Sequence, residues 1–119
     1  MNIAIDTTEL KKLRLRCDDG GKIKRTEYAV YADAALPKIV KLLAGRKPRA
    51  IGAVTGPGAF SATRTGVALA NALAYAWGIK IVALDRAQFD ANEPLPPGVK
   101  PPAAVHYGMA PNITKKKPV

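Results

Sequence analysis

Ala50-Ile51-Gly52-Ala53-Val54-Thr55-Gly56-Pro57-Gly58-Ala59-Phe60-Ser61 is the stretch that decides the fold. Ala50 to Val54 is a short apolar run without alternation, as expected of a central strand covered on both faces. Thr55 to Ser61 is a tight turn containing two glycines and a proline, and a long helix is predicted after it from about Ala62 to Trp77. Ile79 to Leu84 is a further apolar strand. Right-handed crossovers would lay the helices on the sheet.

Upstream, Asn2 to Asp6 reads as a strand running into a turn at Asp6-Thr7-Thr8. Leu13, Leu15 and Cys17 alternate with Lys12, Arg14 and Arg16, the period of a half-buried strand. Asp18-Asp19-Gly20-Gly21 supplies hairpin chemistry, and Lys22 to Tyr31 is the returning strand. Asp33 is the expected N-cap of the next element. Leu36, Ile39, Val40 and Leu43 then form an amphipathic stripe, with Pro37 in the first turn and Gly45 at the stop.

Beyond Asp85 the character changes, since seven of the ten prolines lie between Pro94 and Pro118. A stiff extended connector is expected there, and Val105 to Thr114 reads either as an ordered strand or as a tail laid across the domain. The expected architecture is α/β: a mixed five-stranded sheet in the order β-β-β-α-β-α-β, with residues 1–85 as the lobe and 86–119 as Pro-rich connector and tail.

A length of 119 residues suits one domain. The 19 Lys and Arg against 9 Asp and Glu leave a charge of +10, which suggests an acidic partner such as RNA. Twelve basic and four acidic residues lie between Leu10 and Arg49, so the basic surface belongs to the front half. The candidate RNA contacts are Lys11, Lys12, Arg14, Arg16, Lys22, Lys24, Arg25 and the tail lysines Lys115, Lys116 and Lys117. Cys17 and His106 stand alone as residues of their kind, which excludes an internal disulfide framework and a zinc site; no metal site is expected. The chain does not open on a leader-like pattern, and its longest apolar stretch, Val67 to Ile79, is too short to span a bilayer. The expectation is a soluble cytoplasmic domain without membrane partners.

The long helix carries the most information. Ala62, Gly66, Ala70 and Ala74 recur every four residues, and Ala68, Ala72 and Ala76 add a second small row. Small residues at this spacing let another helix approach closely. Part of the helix must pack on its own sheet, yet small or apolar residues cover most of its circumference, which predicts a partner helix. The predicted interface comprises Leu36, Ile39, Val40 and Leu43 with Ala62, Arg64, Gly66, Ala70 and Ala74. Arg64, a lone charge in the first turn, fits either an interface contact or simple exposure.

Two further places are candidates for nucleotide or phosphate. Gly56 and Gly58 precede a helix N-terminus, where an anion is favoured, although the P-loop Lys-Ser/Thr is absent and a structural turn is the competing reading. Asp6, Thr7 and Thr8 could position a metal-bound phosphate or simply stabilise a turn. No nucleophile-base pair or paired carboxylates stand out, so no catalytic residue is expected.

Ile3-Ala4-Ile5-Asp6-Thr7-Thr8-Glu9 resembles the opening I-x-A-I-D-T-S/T of the TsaB family, also called YeaZ. The stretch from Thr55 to Gly66 resembles that family's G-P-G-S-F-T-G-L-R-x-G signature, and Tyr107 to Thr114 its C-terminal Y-x-R-x-P-D/N-V/I-T. Ala59-Phe60-Ser61-Ala62 replaces the more usual S-F-T-G, Met109 stands where Arg is common, and the histidine commonly found before the first helix is absent around Ala32 to Ala35. The resemblance implies a single lobe of the actin/Hsp70-like ATPase fold, related to ribonuclease H, with almost nothing between Leu84 and Val105 where a second lobe would lie.

The family pairs as a non-catalytic dimerisation subunit with TsaD, with TsaE joining, to place threonylcarbamoyl on adenosine 37 of tRNA. By that resemblance the chain is expected to be a non-enzymatic scaffold for a TsaD-type catalytic subunit, with a TsaE-type ATPase as a further partner. It is expected to form a homodimer when alone and to contact tRNA indirectly or weakly. No cofactor is expected, with ATP and magnesium only at an interface shared with partners. The alternatives are a basic tRNA-binding accessory protein and a small actin-fold ATPase or phosphotransferase using Asp6.

Overall fold

The computed structural model describes residues 1–102. The expectations for His106, for Val105 to Thr114 and for Lys115, Lys116 and Lys117 lie outside the described residues. Strands β1 (Asn2–Glu9), β2 (Lys12–Asp19) and β3 (Lys22–Tyr28) are followed by a short 3-10 turn at Ala32–Ala34 and helix α1 (Ala35–Leu43). Then come β4 (Ala50–Val54), α2 (Phe60–Trp77), β5 (Lys80–Leu84) and α3 (Arg86–Asp90).

The five strands form one mixed sheet in the order β3-β2-β1-β4-β5. β1, β2 and β3 pair antiparallel through tight connections, while β1, β4 and β5 are parallel neighbours joined by helical crossovers. The register sets Ile3 beside Ile51 and Ile51 beside Ile81, so the central strands present a continuous apolar row.

Strand alternation divides the sheet into two faces. Ile3, Ile5, Leu13, Leu15, Ile51 and Ile81 point toward α1 and α2, where Ile39, Leu43, Val67, Ala70 and Ala74 close the main core. Ala4, Val54, Val82 and Leu84 point the other way, onto Phe89 of α3 and Leu95.

Several local expectations are corrected. Asp6, Thr7 and Thr8 are not a turn: β1 runs on through them to Glu9, with its register to β2 shifting between Asp6 and Glu9. β3 ends at Tyr28, not Tyr31. Asp33 lies within the 3-10 turn, and α1 begins after Ala34 with no side-chain cap. The chain leaves α1 one residue earlier than expected, at Ala44 with φ of 49°, and Gly45 continues the left-handed path.

The segment after Asp85 is not merely an extended connector. Asp85 accepts from the Gln88 backbone N–H at 2.7 Å while the Gln88 side chain accepts from the Asp85 N–H at 2.9 Å, a capping box that starts α3. Residues 98–99 then fold back so that Val99 pairs antiparallel with Ile81, shielding the β5 edge. The β3 edge has no such neighbour among the described residues.

Candidate functional site

Helix α2 is apolar or small around most of its circumference, but its two small rows have different fates. Ala62, Gly66, Ala70 and Ala74 are buried against the chain's own sheet. Their smallness lets the helix approach β1 closely: a methyl built on Gly66 would fall 2.1 Å from Thr7 Oγ1, and that hydroxyl donates to the Ala62 carbonyl at 2.8 Å. These four residues are therefore removed from the predicted partner surface, because the sheet already occupies the space in front of them.

The second row is the one that faces outward. Ser61, Arg64, Thr65, Ala68, Ala72, Tyr75 and Ala76 are exposed, with Tyr75 82% accessible. Arg64 lies over the Phe60 ring at 5.1 Å, so it keeps its place on the outer face. The α1 stripe divides in the same way. Ile39 and Leu43 belong to the core and are withdrawn from the interface, whereas Leu36 and Val40 are 43% and 56% exposed on one flank. Val40 and Trp77 line a common depression at one end of the two helices, and Tyr31, Asp33, Ser61 and Thr65 line another at the opposite end. Leu36, Val40 and the outer row of α2 thus share one face of the molecule. Tyr75 and Tyr31 were not singled out from the sequence; Tyr75 follows Ala68 and Ala72 at helical spacing, which was the available signal.

The candidate phosphate residues Asp6, Thr8 and Gly58 do come together, at the C-terminal end of β1. The turn lies so close that a methyl on Gly58 would meet the Thr8 carbonyl oxygen at 2.4 Å, and the Ala59 N–H donates to that oxygen at 2.7 Å. Gly56 sits in the same turn with φ of 130°, while Thr7 points to the opposite face and bonds α2.

Asp6 is buried and fully engaged. Its Oδ1 accepts from the Thr8 N–H at 2.9 Å and hydroxyl at 2.6 Å, and its Oδ2 accepts from Arg14 at 2.6 and 3.0 Å. Burial pushes its pKa up, but the Thr8 bonds and the Arg14 guanidinium together outweigh this and hold the carboxyl below the ordinary range. Burial likewise opposes the charge of Arg14, and its bonds to Asp90 and Asp6 prevail, raising its pKa. Arg14 also stacks over Phe89 at 4.7 Å and donates to Asp90 at 2.7 Å, while Arg86 donates to the Thr8 hydroxyl at 2.9 Å. The site is a closed polar lock between β1, β2 and α3. Among the described residues no group of three or more His, Cys, Asp or Glu side chains is placed to hold a metal ion.

The basic residues sort by type. Arg16 is wholly buried: it forms an ion pair with Asp18 at 2.7 Å and donates to the carbonyls of Gln88, Phe89 and Ala91 at 3.0 Å and to that of Glu93. Arg25 donates to the carbonyls of Phe89 and Ala91 and to the Asn92 side chain. Arg14, Arg16 and Arg25 are therefore withdrawn as RNA contacts, because they hold α3 and the residues after it against the sheet. Lys12 forms ion pairs with Glu9 and Glu27, and Lys11 lies over Tyr31 at 5.9 Å. Lys22 and Lys24 are exposed on β3.

No protein-family model and no curated protein matches the chain. Solved structures do. YeaZ from Pseudomonas aeruginosa superposes with a TM-score of 0.63 at 25% identity, covering 71% of this chain and 43% of that one. A structure described as an uncharacterized protein with similarity to peptidase YeaZ, from the same organism, gives 0.64 at 25% identity over 71% and 42%. RuvC from T. thermophilus, in complex with a Holliday junction substrate, gives 0.53 at 11% identity over 74% and 67%, a likeness of fold alone. The chain spans less than half the length of the two YeaZ structures. No helix among the described residues is long and apolar enough to cross a membrane. The sheet order, the β1 and β4 motifs that carry it, and these superpositions together give the chain, over 71% of its length, a YeaZ (TsaB)-like lobe of the actin and ribonuclease H-like fold.

Proposed function

We propose that this chain is a non-catalytic scaffold that pairs with a TsaD-type threonylcarbamoyltransferase and so supports threonylcarbamoyladenosine modification of tRNA. The pairing surface is the outer face of α2 together with Leu36 and Val40 of α1. The observation that carries this reading is the exposed row Ala68, Ala72 and Ala76, flanked by the highly exposed Tyr75, on a YeaZ-like lobe. Methyl-sized side chains one turn apart leave a groove into which ridges of a second helix fit, and the tyrosine supplies a large amphipathic anchor beside it. Unpaired, the same face serves a second copy of the chain, which gives the homodimer. ATP, magnesium and a TsaE-type ATPase enter only through the shared assembly, since the Asp6 oxygens are engaged within the lobe.

Co-purification tests the reading. Ala68→Arg/Ala72→Arg places two long cations in the groove and should abolish recovery with a TsaD-type subunit, with the lobe still folded by circular dichroism. Light scattering should show the same variant as a monomer. Pairing that survives both substitutions defeats the proposal.

A further inference from the structure

The fold uses up most of its carboxylates internally. Of nine, Asp6 and Asp90 go to Arg14, Asp18 to Arg16, Asp19 to Arg46, Glu9 and Glu27 to Lys12, and Asp85 to the cap of α3. Arginines take most of these pairs, leaving a set of lysines without a counterion. Of the eight such lysines among the described residues, four share one flank of the molecule, apart from Lys11, Lys47, Lys80 and Lys100.

In β3, Lys22, Lys24, Thr26 and Tyr28 alternate onto the helix-bearing face, opposite Asp19, Cys17, Leu15 and Leu13 of β2. Lys38 of α1 lies over the Tyr28 ring at 4.7 Å, which ties the flank of α1 to that strand. Lys41, three residues on, shares this flank and is exposed, whereas Leu36 and Val40 lie on the other flank of α1. Lys22, Lys24, Lys38 and Lys41 form no ion pair among the described residues. The carboxylate opposite Lys22, Asp19, is neutralised by Arg46 at 2.7 Å, and Glu27 alternates to the other face of the sheet.

We infer that this flank of α1 and the adjoining β3 edge form a binding surface for the phosphate backbone of RNA. Two lysines one alternation apart on a strand stand about 7 Å from each other, and the helix lysines extend the cationic band. An acidic protein interface would centre on aromatic residues and arginine, with lysine depleted. Firm binding to an anionic membrane combines lysines with large apolar side chains that insert among the lipids, and the exposed Leu36 and Val40 point elsewhere. A line of strongly hydrated point charges suits a continuous run of phosphates. This surface stands apart from the pairing face and does not rest on that proposal.

The test is anisotropy titration of the full chain with a fluorescein-labelled tRNA transcript across a salt series. Lys24→Glu/Lys41→Glu is compared with Lys80→Glu/Lys100→Glu, which makes the same charge change at the other edge of the sheet. The first pair should weaken binding at least tenfold and lower the slope of log affinity against log salt by about 1.5 to 2, two phosphate contacts' worth. The second should change affinity less than about threefold, as expected away from the contact. Equal losses from both pairs would reduce the effect to bulk charge and overturn the inference. So would loss only on replacing Lys115, Lys116 and Lys117 by alanine, absence of RNA binding by the parent chain at low salt, or binding to phosphatidylserine vesicles in place of RNA.

Discussion

Gly66 of α2 and Thr7 of β1 are in such close apposition that a Cβ at the glycine would sit 2.1 Å from the threonine hydroxyl oxygen and 2.8 Å from its methyl. Neither neighbour can swing away, because Thr7 is buried and its hydroxyl is committed to the Ala62 carbonyl. Gly66→Ala should therefore force helix and strand apart and cost about 1–3 kcal/mol, the usual penalty of overpacking. In a Thr7→Ala background the same change should cost less. Urea melts of the four variants in a double-mutant cycle read the coupling, and strict additivity would contradict the contact.

Ala70 and Ala72 are two residues apart on one helix and should behave oppositely. Ala70 is fully buried on the sheet, so Ala70→Arg inserts a charge into the core and should prevent stable folding. Ala72 is exposed, so Ala72→Arg should change stability by no more than about 0.5 kcal/mol. Thermal melts separate them directly, and a folded Ala70→Arg protein would mean the helix is rotated from the orientation described.

Arg16→Met should be among the most damaging single changes. It keeps much of the side-chain length but strands the Asp18 carboxylate and the main-chain carbonyls of Gln88 and Glu93, and leaves those of Phe89 and Ala91 to Arg25 alone. Removing one partner of a buried charged network costs about 3–5 kcal/mol. The loss should appear in urea melts, and hydrogen exchange should show residues 86–93 losing protection before the central strands.

Acid should open the β1 lock. Asp6 has a folded pKa below the ordinary aspartate value of 3.8, so its contribution to stability is complete above that value. It declines as pH falls below 3.8 through the depressed folded value. Asp6→Asn should lower stability at neutral pH and flatten the acid limb of the stability profile. A profile whose acid limb is unchanged by the substitution would contradict the assignment.

Much of this architecture was legible because single physical signals decided each element. The unbroken apolar run Ala50–Val54 has the bounds of β4, and the Asp18 to Gly21 turn joins β2 to β3 as read. Orientation of α2 was not legible, since both of its rows are small and composition alone does not say which one the sheet covers. The charge pattern of β2 misled for a related reason: Arg16 alternates outward from Leu15, but that side of the sheet is covered by α3, so the guanidinium is interior. Helix α3 escaped notice because five residues carry no periodicity; Asp85 followed by Gln88 three residues later was its signature. Asp6-Thr7-Thr8 resembled a turn because three polar residues interrupt an apolar strand, and only partners distant in sequence, Arg14, Ala62 and Arg86, make them acceptable inside it.

Phe89 lies at 0% exposure over Ala4, Val54, Val82 and Leu84, fastened by the guanidinium contacts of β2 and β3 to the carbonyls around it. The apolar back of such a sheet must be kept dry by something, and here a strap running from Arg86 to Val99 already does so. Trimming the gene after the codon for Leu84 would consequently convert a tidy lobe into a sticky half-sandwich destined for inclusion bodies.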